Sequence, residues 1–203
     1  LRSIKDKLEV FVMMTESGAL RSKETSVQLF GNDPNLVYVT SINRLVNNKK
    51  REFVREEFLE TYSLDKNFFH EVVMKNSPPP IEQILKEGFS IWKVSVGKEM
   101  PPLIGIGKAV VTESTDRTPL SQYAVIAYMQ TGNLLQSVAH LHKNQVFITN
   151  KTGQLLLQSN DQVFEGESNL VKQGLAAQMK TQVFTFEEKN QKWMGGFSKS
   201  NDG

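Results

Sequence analysis

The chain has 203 residues, with 24 Lys and Arg against 22 Asp and Glu, three His and no Cys. A net charge of +2 is too small for a dedicated nucleic-acid binder, and the lack of Cys removes disulfide scaffolds, thiol nucleophiles and zinc-knuckle or iron–sulfur sites together. With 39% hydrophobic and 23% charged residues the composition is globular, not disordered, and the length suffices for a core without covalent staples.

Residues 1 to about 30 carry a helical pattern. Ile4, Leu8, Phe11, Val12 and Thr15 recur at spacings of three and four, and Ala19, Val27 and Phe30 continue it less regularly. A helix of about 30 residues is about 45 Å long, so it needs a long surface or a partner to lie against. Gly31-Asn32-Asp33-Pro34 ends it. NLVYVTSIN, residues 35–43, is β-branched and aromatic and reads as a strand. The charged segment NRLVNNKKREFVREEF holds a turn and a second strand. Residues 64–76, LDKNFFHEVVMKN, read as a helix with Leu64, Phe68, Val72 and Met74 inward. Ser77-Pro78-Pro79-Pro80 breaks it, and IEQILKEG makes a short helix ending at Gly88.

From Phe89 the period changes to two. FSIWKVSVG sets Phe89, Ile91 and Lys93 against Ser90, Trp92 and Val94. LIGIGKAVVT follows as a strand, TESTDRTPL as a polar connection, and SQYAVIAYMQ as a third strand. The last sets Tyr123, Val125 and Ala127 against Ala124, Ile126 and Tyr128. Three consecutive strands with turn signals between them imply an antiparallel sheet. TGNLLQSVAHLH reads as a short helix. QVFITNKTGQLLLQSN reads as a hairpin turning at Asn150–Gly153, residues 167–180 as a helix, and TQVFTFEEKNQKWMGGFSK as a second hairpin turning at Glu188–Asn190. The expected organisation is therefore a long N-terminal helix over 1–33, a first sheet unit over 34–143 and a smaller one over 144–203.

The first residue is Leu, no signal-peptide pattern opens the chain, and no run of about 20 apolar residues occurs. Asn201-Asp202-Gly203 is a hairpin-turn signal with no return strand. The expectation is a segment cut from a longer protein.

Chemistry-bearing motifs are sparse. His140 and His142 share a face only on a strand, and they fall at a helix end with no third ligand nearby. His70, beside Glu71, reads as a partly buried structural residue. Gly105-Ile106-Gly107 lacks the third glycine and the strand–helix turn of a dinucleotide loop. Its glycines let a strand bend or a backbone approach a ligand closely. Glu56, Glu57 and Glu60, like Glu187 and Glu188, read as solvated faces. No nucleophile elbow, phosphate-binding loop or zinc-protease motif occurs, so no enzyme, cofactor or metal site is expected.

Several local phrases, taken in order, resemble the double CACHE sensor domains, the PAS-like extracytoplasmic modules of bacterial membrane receptors. NDPNLVYVTSIN looks like the first strand after the family's long helix. PPLIGIGKAVV followed by YAVIAYMQTGNLLQSV looks like its strand pair leading into the linking helix. NQVFITNKTGQLLLQSN looks like the opening hairpin of the second unit, and VFTFEEKNQKWMGGFSKSNDG like its closing strands. The resemblance implies an α+β fold with a long N-terminal helix, a membrane-distal PAS-like unit and a smaller membrane-proximal one. It also implies small-molecule sensing on the periplasmic side of an inner membrane. Homodimerisation would run through the N-terminal helix, and membrane attachment through flanking segments.

On that reading the ligand sits in the first unit, between the sheet and the segments crossing it. The candidates are Trp92, Lys93, Tyr123 and Tyr128, with Asp116 and Arg117 on the connection between strands. Trp and Tyr supply stacking surface with a polar tip, and Lys93 or Arg117 could meet a carboxylate. The fixed Arg, Trp, Tyr and Asp set of the family's amino-acid-binding members is absent, which argues against an amino-acid ligand. The alternative is a structural or protein-interaction module of a membrane protein that binds no small molecule.

Overall fold

The computed structural model describes residues 2–16, 30, 31, 33–43, 50–97, 100–113, 119–132, 147–149, 153, 155–158, 181–188 and 191–198. The chain divides into two units, residues 1–136 and 137–203. The first is α+β, built on an antiparallel sheet of five strands: β1 (Leu36–Asn43), β2 (Lys50–Val54), β3 (Phe89–Val94), β4 (Leu103–Glu113) and β5 (Pro119–Gln130). Their order across the sheet is β2-β1-β5-β4-β3. The expected run of three strands from Phe89 is the β3-β4-β5 meander, and β1 closes it by pairing with β5.

This order dictates where the helices go. β2 and β3 lie at opposite edges, so residues 55–88 must cross the whole sheet, about 19 Å at the usual strand spacing. They cross as a layer on one face: α2 (Glu56–Thr61), a π-helical segment (Phe69–Val73) continuing into α3 (Met74–Asn76), and α4 (Ile81–Glu87). Phe58, Leu59, Phe68, Phe69, Val73 and Ile84 bury against Tyr38, Trp92, Val94, Leu103, Ala124, Ile126 and Tyr128. Gly88 ends α4 with a φ of 79°, and its N–H donates to the Ile84 carbonyl.

The helix read over 64–76 is shorter and differently wound than the sequence suggests. Its middle is π-helical, with the Met74 N–H donating to the Phe69 carbonyl five residues back. Phe68 is buried as expected, the wider turn adds Phe69 and Val73 to the core, and Leu64, Val72 and Met74, also expected inward, are half-buried and packed against it. The preceding REEFLE segment does present Glu56, Glu57 and Glu60 to solvent, but it is also a helix, whose Phe58 and Leu59 go inward.

The opposite face carries α1 (Arg2–Glu16). Leu8, Phe11 and Val12, on the expected stripe, bury against Val39, Ile106, Val125 and Ala127. The Phe11 ring meets Phe53 edge-on at 5.5 Å. Lys7 pairs with Asp33 at 3.2 Å, and Lys108 on β4 with Glu9 at 2.5 Å. The rest of the expected 30-residue helix, residues 17–29, lies outside the described residues.

Arg55 ties these layers together. Its guanidinium donates to the carbonyls of Leu36 (2.8 Å), Phe30 (2.5 Å) and Asp33 (2.7 Å), and it stands 5.3 Å from the Phe30 ring centroid. Three backbone acceptors at the entrance to β1 are thereby satisfied by one side chain.

The second unit contains two antiparallel hairpins. β6 (Phe147–Thr149) pairs with β7 (Leu155–Gln158), and β8 (Thr181–Glu188) with β9 (Gln191–Ser198). Both fall where the sequence places hairpins. In the second, the register sets Phe186 opposite Trp193 and Phe184 opposite Gly195. The helices expected over 131–142 and 167–180 fall almost wholly outside the described residues.

Candidate functional site

The strand registers align five residues in one row across the helix-covered face: Val54, Tyr38, Tyr128, Gly105 and Trp92. Because alternate residues of a strand share a face, one row fixes the next: Glu52, Thr40, Ile126, Gly107 and Ser90. The first row is aromatic and is roofed by Phe69 from the π-helical segment. Phe69 stacks on Tyr38 at 4.5 Å between centroids and on Tyr128 at 5.8 Å, the latter pair only 9° from parallel. Tyr38 and Tyr128 are 5.6 Å apart, and Trp92 meets Tyr128 edge-on at 6.2 Å.

The Gly-Ile-Gly stretch of β4 makes this packing possible. A Cβ on Gly105 would lie 2.6 Å from Trp92 Nε1, inside the space the indole occupies, and one on Gly107 would lie 2.6 Å from Ile84 Cγ1. Both glycines therefore sit under large side chains of the protein itself, with Trp92 and Ile84 making the close approach. The nitrogen edge of the indole hangs over Gly105, whose cross-strand neighbour is Tyr128.

Two polar atoms in this row have no hydrogen-bond partner: Trp92 Nε1 and the Tyr128 hydroxyl. Trp92 is 8% exposed and Tyr128 is 0% exposed. The neighbouring Tyr38 differs, because its hydroxyl donates to Glu52 Oε2 at 3.0 Å. Burial pushes both phenols well above the ordinary tyrosine value, and the Glu52 carboxylate adds to the effect at Tyr38. Each phenol is therefore neutral and able to donate at any ordinary pH. A buried, unpaired hydroxyl or indole N–H costs about 1–3 kcal/mol, so two of them side by side are a recognition feature or an expense of packing.

The sequence candidates divide on this geometry. Trp92 and Tyr128 come together on the helix-covered face. Lys93 and Tyr123 belong to the opposite alternation and lie on the α1 face, Lys93 exposed and Tyr123 buried among Val110, Val125 and their neighbours. They cannot share a site with Trp92 and Tyr128. Asp116 and Arg117, with His140 and His142, lie outside the described residues. His70 is exposed, not partly buried as expected. Its Nδ1 is 3.4 Å from Glu71 Oε1, and Lys75 pairs with the same carboxylate. These two partners, Lys75 foremost, hold Glu71 below the usual carboxylate range.

Sequence reasoning missed Tyr38, Phe69 and Glu52. Tyr38 had a signal: it shares the first strand with Val37 and Val39, and such a continuous apolar run marks a strand covered on both faces. Phe69 had none, since the π turn that aims it is invisible in apolar spacing.

Among the described residues, no group of three or more His, Asp or Glu is placed to hold a metal ion, and no helix is long and apolar enough to cross a membrane. No family profile and no curated protein matches the chain.

Proposed function

We propose that this chain is the extracytoplasmic sensing domain of a bacterial transmembrane signalling protein, of the double CACHE type. A small molecule is held in the first, PAS-like unit, and its occupancy is passed through the N-terminal helix of a homodimer. The smaller second unit stands nearer the membrane, which the protein enters through flanking segments.

The observation that carries this reading is the pair of buried, unpartnered polar atoms on Trp92 and Tyr128. They lie between the sheet and the segments that cross it, where a sensor of this kind holds its ligand. The antiparallel order β2-β1-β5-β4-β3 supports the PAS-like assignment, as does the helical crossing between β2 and β3. The placement of α1 on the other face supports a route outward, because β5 is buried on both sides and lies between Phe69 and Phe11.

The stacking of Phe69 on Tyr38 and Tyr128 favours the second reading, an interaction module whose first unit is filled by its own side chains. A thermal-shift screen of small metabolites separates the two. A ligand at about 100 times its dissociation constant stabilises the chain by about 2.7 kcal/mol, and a tenfold weaker affinity in Trp92→Phe, which removes one of the two donors, should cut that gain to about half. A screen in which nothing stabilises the chain supports the interaction module. The complete reading frame provides a second test: a protein with no hydrophobic span beside this segment is not a transmembrane receptor.

A further inference from the structure

We infer that the Trp92–Tyr128 site takes a small, uncharged molecule bearing a hydrogen-bond acceptor, and that this molecule enters by displacing Phe69. The inference rests on the sensing reading and narrows it to a ligand class.

Indole Nε1–H is a donor only. The Tyr128 hydroxyl can donate as well, so the two unmet groups call for an acceptor such as a carbonyl or hydroxyl oxygen. The rows around them bring no cation. Val54, Tyr38, Tyr128, Gly105 and Trp92 are uncharged, and the next row contributes only the Glu52 carboxylate, already accepting from Tyr38. Lys93 is on the opposite face, and the Arg55 guanidinium is occupied by three backbone carbonyls. A carboxylate brought here would be buried without a counter-charge, which is far more costly than burying a neutral acceptor. The flat faces of Tyr38 and Tyr128 suit a planar molecule, and the group now covering both is the Phe69 ring.

Phe69 also sits where the backbone of the helical layer departs from α-helical bonding. It opens the π-helical segment, and the Met74 N–H bonds its carbonyl in place of the α-helical partner. Return of that turn to α-helical bonding shifts the chain by one residue and rotates Phe69 away from the sheet.

Matched pairs test the class: nicotinamide against nicotinate, and benzamide against benzoate, each pair nearly identical in shape and different in charge. Isothermal titration into the full chain should show the amide of each pair binding at least about tenfold tighter than its acid. Tyr128→Phe, which keeps the ring and its packing, should weaken amide binding about tenfold, and Phe69→Leu should strengthen it. The inference is overturned if the acids bind as well as the amides, if neither binds, or if both Tyr128→Phe and Trp92→Phe bind amide like the parent. The sensing reading is judged apart: a charged metabolite that stabilises the chain while the amides do nothing sinks this inference and leaves sensing standing. If metabolites and amides alike do nothing, both fall.

Discussion

Tyr38 and Tyr128 are neighbours in one row, yet removing the same oxygen from each should have opposite consequences. The Tyr38 hydroxyl donates to the Glu52 carboxylate. Such a bond to a charged acceptor contributes about 1.5–3 kcal/mol when buried, and Glu52 is exposed, so about 1 kcal/mol is the fair expectation for Tyr38→Phe. The Tyr128 hydroxyl has no partner and no access to water. Tyr128→Phe removes an unmet polar group that costs about 1–3 kcal/mol and leaves only a small void, so it should stabilise by about 1 kcal/mol. The two variants should thus differ by about 2 kcal/mol. Urea denaturation followed by far-ultraviolet circular dichroism reads this directly, provided the slope with denaturant is unchanged. In thermal melts the separation should be about 4–8 °C for a chain of this size. If Tyr128→Phe loses as much stability as Tyr38→Phe, the Tyr128 hydroxyl has a partner, and the candidate site loses half of its basis.

Gly105→Ala should destabilise by about 1–3 kcal/mol through collision with the indole of Trp92, and the loss should shrink in a Trp92→Ala background; additive losses would show that the two do not touch. Arg55→Lys keeps the charge but not the planar fork that serves three carbonyls, so it should cost about 2 kcal/mol; a change within about 0.5 kcal/mol would refute the clamp. Leu8→Asp buries a charge under α1 and should unfold much of the protein, whereas Met13→Asp on the exposed side of that helix should change stability by no more than about 0.5 kcal/mol. Sedimentation of Met13→Asp also tests the proposed helix-mediated dimer, which that charge should weaken. The raised phenol pKa values set the alkaline limit. The unfolded chain loses its phenolic protons near pH 10 while the folded chain keeps them, so stability should fall as pH rises above about 10, by about 1.4 kcal/mol per pH unit for each phenol. In the Tyr38→Phe, Tyr128→Phe double variant the fall should be shallower, as read by urea midpoints across pH 9–11.5.

Much of the first unit is legible in the amino-acid order. The alternation in FSIWKV and SQYAVIAYMQ separates Trp92 and Tyr128 from Lys93 and Tyr123 before any register is known. What alternation cannot give is lateral position. Trp92 and Tyr128 meet because β4 lies between their strands with Gly105 at the crossing, and no local pattern sets which residue of β4 falls there. The helical layer was harder to read. REEFLE carries too much charge to look like a core helix, yet two adjacent apolar residues are enough to anchor one turn. The π turn shifts the buried set from Val72 to Val73, because apolar spacing presumes 3.6 residues per turn. Arg55 gave no sign of its role, since its acceptors are backbone carbonyls and a sequence shows none of them.

The placement of β1 between β2 and β5 also governs how the chain folds. β1 can pair with β2 as soon as both exist, and β3, β4 and β5 can form their meander on their own. Joining the two preformed pieces brings Asn43 against Tyr123 and closes the 34-residue connection 55–88, at an entropic cost of about 3 kcal/mol. That step should set the folding rate. On the ribosome, β1 must wait for β5 with one edge open, and the charged edge strand KREFV can shield only its other side.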